Sequence, residues 1–297
     1  MVRNDQAGAI RPPAAIDSST AVFAVIGDPI KHSKSPLMHN AALRELGLNA
    51  VYTAFHVAPE QLEQAVQGMR ALGIGGMNVT IPHKEAVMAH LDEVDESASV
   101  IGAVNTIVNR NGQLIGYNTD GLGFVRSLQE EMISDLRQSR ILLIGAGGAA
   151  RGIAYALLKA GCRSLHIANR TLGRAEVLAS DLSAFGTVSA MQLGERPAID
   201  AREVDIVIHT TSVGMHPDVH AVPFDPDWLR PDMIVSDIVY NPLETALLQE
   251  ASKRGCRTHS GIGMFVYQGA IALELWTGAA APAALMREQV WNTLRHD

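Results

Sequence analysis

The chain has 297 residues, 47% of them hydrophobic and 19% charged, with a formal net charge of −7. That length suggests about two ordinary domains, and the composition is that of a globular protein with a sizeable core. The absence of a basic run argues against a nucleic-acid surface, and the absence of any apolar run of about 18 residues argues against a membrane-spanning helix. An anionic small substrate stays open, because local charge decides that and net charge does not.

The first 20 residues carry Pro12 and Pro13 among mixed polar residues and read as a loose tail without the apolar core of a signal peptide. Cys162 and Cys256 are the two cysteines. They form no CxxC motif and no disulfide framework, and both sit in apolar segments, which fits buried thiols in a reducing cytoplasm.

From Ala21 onward strand-like and helix-like segments alternate, the pattern of an α/β fold. AVFAVIG (21–27) reads as a buried strand. Ser35 and Pro36 then open a helix as cap and first residue, and it closes near Gly47. A strand over 51–57 precedes a helix over 59–73, with Leu62, Val66, Met69 and Leu72 at helical spacing.

The stretch GMNVTIPHKEA (76–86) is unusual. As a strand it puts Asn78 and Thr80 on one face and Val79 and Ile81 on the other. The apolar pair can face a core while the polar pair faces something that hydrogen-bonds. Pro82 suits a first helical position, and HKEAVMAHLDEV (83–94) spaces Val87, Met88, Leu91 and Val94 as a helix. That placement puts Lys84 in a first helical turn, where the macrodipole should lower its pKa toward the range of a working acid or base. A solvated surface lysine is the plain alternative.

In NTIVNRNGQLIGYNTD (105–120), Asn111-Gly112 between two apolar runs signals a two-residue hairpin. Such a turn sets Asn105 opposite Asn118 and brings Asp120 out at the same end as Asn105. Asp120 is also placed to cap the following helix.

A second unit begins at RILLIGAGGAARG. Gly145, Gly147 and Ala150 match G-x-G-x-x-A between a strand and a helix whose core positions are Ile153, Ala156, Leu157 and Ala160. Glycines there let backbone N–H groups approach a pyrophosphate at a helix N-terminus. The next strand ends in Asn169-Arg170-Thr171, with Arg174 one turn later and no acid at the tip. Two guanidiniums and a hydroxyl suit a 2′-phosphate, so the cofactor implied is NADP(H) and not NAD. Further strands are expected over 204–211 and 233–240, and helices over 241–255 and 263–278. His216 and His220 are four apart, but Pro217 between them breaks a helical metal-binding spacing, and no metal site is expected.

SKSP (33–36), NVTIPHK (78–84), AVNT with YNTDG (103–106 and 117–121) and YQGA (267–270) occur in order with GAGGAARG, NRTLGRA and TTSVGM. Together they closely resemble the shikimate dehydrogenase family, over roughly 21–278. The resemblance implies an α/β fold with an N-terminal substrate domain (1–120 plus 262–297), a Rossmann-type NADP domain (121–261) and a cleft between them. It implies an oxidoreductase of chorismate and aromatic amino-acid biosynthesis, reversibly reducing 3-dehydroshikimate to shikimate with NADPH in the cytoplasm, as a monomer or homodimer. By the same resemblance Lys84 and Asp120 form the catalytic pair. Ser33 and Ser35 hold the substrate carboxylate. Asn78, Thr80, Asn105 and Gln268 bind ring hydroxyls or the carboxylate region, and Tyr240 lies near the carboxylate. Gly145, Ala146, Gly147, Gly148, Ala149, Asn169, Arg170, Thr171, Arg174, Ile238 and Gly261 line the cofactor, with Met264 and Glu96 at weaker contact positions.

Two residues depart from the family pattern. His83 stands where some relatives have Phe, and His209 where Asn is usual, which puts the loop contacts near His209 in doubt. The alternatives within reach are a quinate/shikimate dehydrogenase using NAD and a catalytically silent NADP- or shikimate-binding regulator. Retention of Ser33, Ser35, Arg170 and Arg174 argues against the first, and retention of Lys84 and Asp120 against the second.

Overall fold

The structure, a computed structural model, describes residues 16–295. Pro12, Pro13 and the rest of 1–15 lie outside the described residues; within 16–20 the chain is no loose tail, because Asp17, Ser19 and Thr20 form a turn hydrogen-bonded to the Asn49 side chain.

The first half of the chain builds β1 (Ala21–Gly27), α1 (Ser35–Glu45), β2 (Ala50–His56), α2 (Leu62–Ala71), β3 (Gly76–Val79), β4 (Glu93–Val94), α3 (Glu96–Ile101), β5 (Thr106–Arg110) and β6 (Gln113–Tyr117). The strands form one sheet in the order β2-β1-β3-β5-β6-β4. β1 is apolar throughout because it runs parallel between β2 and β3 with both faces covered. Asn111 and Gly112 turn at φ 54° and 92°, and the hairpin pairs Arg110 with Gln113 through to Thr106 with Tyr117. This is the register that the Asn-Gly turn implies.

The chain continues through α4 (Asp120–Glu131), β7 (Arg140–Ile144), α5 (Gly148–Lys159), β8 (Ser164–Asn169), α6 (Leu172–Leu182), β9 (Val188–Gln192), β10 (Ile206–His209), β11 (Ile234–Asp237), α7 (Ala246–Lys253), β12 (Arg257–His259), α8 (Ile262–Thr277) and α9 (Ala283–Leu294). Its second sheet is parallel throughout, in the order β12-β11-β10-β7-β8-β9. The direction of winding reverses between β7 and β10, which is where doubly wound sheets bind ligands, beyond the carboxyl ends of the strands. α8 and α9 return to the first sheet: Ile262, Val266, Ala270, Leu273, Met286 and Val290 share a core with Phe23, Met38, Leu43 and Tyr52. Among the described residues no helix is long and apolar enough to cross a membrane.

Several local expectations need correction. The helix expected over 83–94 is a short 3-10 segment, Ala86–His90, followed by β4. Its backbone is captured instead by the neighbouring hairpin, since Asp92 N donates to Leu114 O and Asp95 N to Gly116 O. Lys84 lies in the turn before that segment, so no helix N-terminus acts on it, and Pro82 starts no helix. Ile81 has left β3 and is 72% exposed, whereas Val79 is buried as expected. Leu72 caps α2 and is 79% exposed. Ser35 and Asp120 are the first residues of α1 and α4, one position inside the caps assigned to them, and Lys34 and Thr119 occupy those caps. The helix expected from 241 begins at Ala246, where the Thr245 hydroxyl accepts from Leu248 N.

Candidate active site

A cavity of about 390 Å3 opens at the carboxyl ends of β1, β3 and β11 and against the first turns of α1, α4 and α8. The loop after β1 and the start of α1 supply Ser33 and Ser35. Asn78 and Thr80 come from the end of β3, and Lys84 from the turn beyond it. Asn105 stands just before β5, Asp120 begins α4, Tyr240 follows β11, and Gln268 lies in α8. All nine line the cavity, as do Ile238, Gly261 and Met264. The two sides are brought together by the hairpin, which returns the chain from Asn105 to Asp120.

Lys84 Nζ donates to Asp120 Oδ2 at 2.5 Å, and both side chains are half-buried. Asn105 Nδ2 donates to Asp120 Oδ1 at 2.9 Å and to Thr119 Oγ1 at 3.0 Å. Asn105 Oδ1 in turn accepts from Thr119 N at 2.8 Å and from Thr106 Oγ1 at 3.0 Å. The carboxylate is therefore held on one oxygen by an amide and on the other by an ammonium. Lys84 is fixed at its backbone too, since Val104 N donates to Lys84 O. A lysine so placed can give a proton as the ammonium or take one as the amine, and charge-assisted hydrogen bonds of this kind are the strong ones.

Asn78 Nδ2 donates to Asn105 O at 3.2 Å and to Thr106 Oγ1 at 3.1 Å, which ties the β3 amide into the same network. Tyr240 packs on Phe265 with ring centroids 5.3 Å apart, and burial pushes its phenol pKa up, so it stays a neutral donor. Gln268 Nε2 donates to Phe265 O, one turn back in its own helix.

Beyond β7, Gly145 turns at φ 116°, a conformation that favours glycine. A Cβ there would stand 2.5 Å from Thr210 Oγ1 after β10. A Cβ on Gly147 or Gly148 would meet nothing within 4 Å. The turn thus opens onto free space at the N-terminus of α5, as a pyrophosphate requires. Asn169 closes the tip of β8 by donating from Nδ2 to Thr171 O. Arg170 and Arg174 are exposed and, among the described residues, neither makes an ion pair. Two uncompensated guanidiniums at this tip fit a phosphate on the ribose. Ala146, Gly148 and Ala149 carry the turn into α5, while Glu96 is exposed at the start of α3 and does not line the cavity.

His209 is fully buried. Its Nδ1 lies 3.0 Å from Asp237 Oδ1 and its Nε2 2.6 Å from Thr211 Oγ1, so the imidazole bridges the ends of β10 and β11 and anchors the loop beside Gly145. Asp237 Oδ2 accepts from Thr245 Oγ1 at 2.7 Å. His83, also buried, donates from Nε2 to Val57 O at 2.7 Å, a bond that Phe could not make. Among the described residues no group of three or more His, Cys, Asp or Glu is gathered as a metal site. Sequence reasoning missed Tyr52, Thr106 and Thr119, which bond to the site from behind. No motif marks Tyr52, which falls in an ordinary strand, whereas Thr106 and Thr119 lie inside quoted motifs without an assigned role.

Comparison with known proteins gives matches along most of the chain. Residues 25–107 match the shikimate dehydrogenase substrate-binding domain, 127–217 match shikimate/quinate 5-dehydrogenase, and 261–290 match the shikimate 5′-dehydrogenase C-terminal domain. A shikimate dehydrogenase (NADP+) of Geobacillus sp. (strain WCH70) is 52% identical, covering 92% of this chain and 99% of its own. One from Methanopyrus kandleri is 50% identical, covering 95% and 98%. A crystal structure of a shikimate dehydrogenase in complex with NADP+ superposes with a TM-score of 0.87 at 42% identity, covering 97% of this chain and 99% of its own.

Proposed function

Because this chain belongs to the shikimate dehydrogenase family, we propose that it reversibly reduces 3-dehydroshikimate to shikimate at the cavity that holds Lys84 and Asp120. It is an NADP-dependent oxidoreductase of the route to chorismate and the aromatic amino acids. The single observation that carries the assignment to this cavity is the 2.5 Å contact of Lys84 Nζ with Asp120 Oδ2, among hydroxyls and amides facing the same space.

In this reading the Ser33 and Ser35 hydroxyls donate to the substrate carboxylate. Asn78, Thr80, Asn105 and Gln268 bond the ring hydroxyls or the carboxylate region, for which the three amides are apt because they donate and accept at once. Tyr240 closes the carboxylate end. Lys84 delivers a proton from Nζ to the C3 oxygen in reduction and takes it back in oxidation. Asp120 accepts a hydrogen bond from a substrate hydroxyl and keeps the ammonium aimed, a geometry worth more than proximity alone. Residues 145–149 and Asn169 to Arg174 would hold NADP(H), with Ile238 and Gly261 also lining it and Met264 and Glu96 at weaker contact positions. When bound, that cofactor supplies the hydride for C3.

The domain division that goes with this reading is 1–120 plus 262–297 for substrate and 121–261 for cofactor. Return of α8 and α9 to the first sheet supports it. Burial of both free cysteines is compatible with a reducing cytoplasmic location.

Initial rates with shikimate and with quinate, each against NADP+ and NAD+, test the assignment. A strong preference for shikimate with NADP+ is expected. Comparable rates on quinate with NAD+ would move the chain to the catabolic branch, and NADP+ binding with no rate on any pair would make it a silent binder.

A further inference from the structure

Tyr52 is a residue of β2 with 3% exposure, and it does not line the cavity. Its phenol donates to Asn78 Oδ1 at 2.7 Å. Asn78 spends both amide hydrogens on Asn105 O and Thr106 Oγ1. With Tyr52 on Oδ1, one acceptor position on Oδ1 is what remains of that amide. A continuous line of hydrogen bonds thus runs from Tyr52 through Asn78, Thr106, Asn105 and Asp120 to Lys84.

The phenol itself is locked. His39 of α1 stacks on the Tyr52 ring at 4.2 Å and 7°, and Trp276 of α8 lies against it at 6.0 Å. His39 is fully buried, and among the described residues neither of its ring nitrogens has a hydrogen-bond partner. Gly269, next to Gln268, lets α8 pass so close that a Cβ there would stand 3.2 Å from His39 Nε2. Burial pushes the Tyr52 phenol well above its ordinary value, which keeps its proton in place.

Resting on the assignment of substrate to this cavity, we propose that Tyr52 is a positioning residue. Acting from behind the wall, it fixes Asn78 with its acceptor toward the substrate and so selects a ring carbon that carries a hydroxyl. Without the phenol, Oδ1 loses its rear partner, and the Asn78 amide is held only from its Nδ2 side, by Asn105 O and Thr106 Oγ1.

Tyr52→Phe keeps the ring and its stack and removes only the hydroxyl. At saturating NADP+ the shikimate KM should rise about tenfold. The kcat, the NADP+ KM and the thermal midpoint should stay close to the parent. Asn78→Ala should raise the shikimate KM by itself, and Tyr52→Phe added to it should raise it no further, because the two act as one unit. An unchanged shikimate KM in Tyr52→Phe, beside a raised one in Asn78→Ala, overturns the role of Tyr52 and leaves the cavity assignment standing. No effect of Asn78→Ala overturns that assignment, and the proposal with it. A joint fall of kcat, NADP+ affinity and thermal midpoint in Tyr52→Phe overturns the proposal in favour of a merely structural role.

Discussion

Lys84 Nζ meets Asp120 Oδ2 at 2.5 Å across 36 residues of chain. The contact exists because β3 and β6 both flank β5, and the hairpin carries the chain back to the end of the sheet from which Lys84 projects. Lys84→Ala leaves this framework intact and removes only the proposed proton carrier. The kcat should fall about 10²- to 10⁴-fold, the range of general acid–base catalysis, with the shikimate KM within about threefold of the parent. Steady-state kinetics check this. An equal rise in KM with kcat unchanged would make Lys84 a binding residue.

Arg170→Ala tests the ribose end. The guanidinium is exposed and makes no ion pair among the described residues, so its loss costs the fold little. A charge-assisted bond to a 2′-phosphate would be lost from NADPH and not from NADH. The NADPH KM should rise about ten- to a hundredfold while the NADH KM stays nearly constant. An unchanged ratio of the two would remove the phosphate from this tip.

How much of this was legible in the sequence depends on how local each signal is. The Asn111-Gly112 turn fixes its own register, so the meeting of Asn105 and Asp120 followed from two residues. The glycine-rich turn and the Arg170 tip were equally readable, because a strand, a turn and a helix in succession admit few geometries. The helix expected after Lys84 failed because β6 captures that segment, pairing Glu93 with Ile115 and Val94 with Gly116, and periodicity cannot register a competitor so far along the chain. Tyr52 was invisible for a similar reason. Its phenol matters only once β2, β1 and β3 lie side by side and bring Asn78 within reach.

Glycines 145 and 147 should separate structural from functional demand. Gly145 sits at φ 116°, where an alanine is strained, and its Cβ would press on Thr210. Gly145→Ala should cost about 1–3 kcal/mol of stability. Gly147 has extended backbone with φ −93° and open space where a Cβ would go. Gly147→Ala should leave the unfolding midpoint near the parent yet weaken NADP+ about tenfold or more, because the methyl would stand in the proposed approach to the pyrophosphate. Thermal unfolding alongside NADP+ titration reads both. A Gly147→Ala protein that binds NADP+ like the parent would place the pyrophosphate elsewhere.

His39 gives the acid side of the stability curve a defined feature. Burial pulls its pKa from 6.5 to about 3. The unfolded chain therefore binds a proton that the folded state refuses anywhere between those values. The stability tied to the neutral imidazole is complete above pH 6.5 and is lost as pH falls toward 3, at no more than about 1.4 kcal/mol per pH unit. His39→Phe keeps an aromatic ring against Tyr52 and cannot titrate. His259, pulled to about 4 by its own burial, contributes the same fall to both proteins and cancels in the comparison. Urea unfolding at pH 7 and pH 5 should show the parent losing up to about 2 kcal/mol more than His39→Phe over that interval. Equal losses would mean that the buried imidazole accepts a proton in the folded state, and that the stack beneath Asn78 carries a charge when the solution is acid.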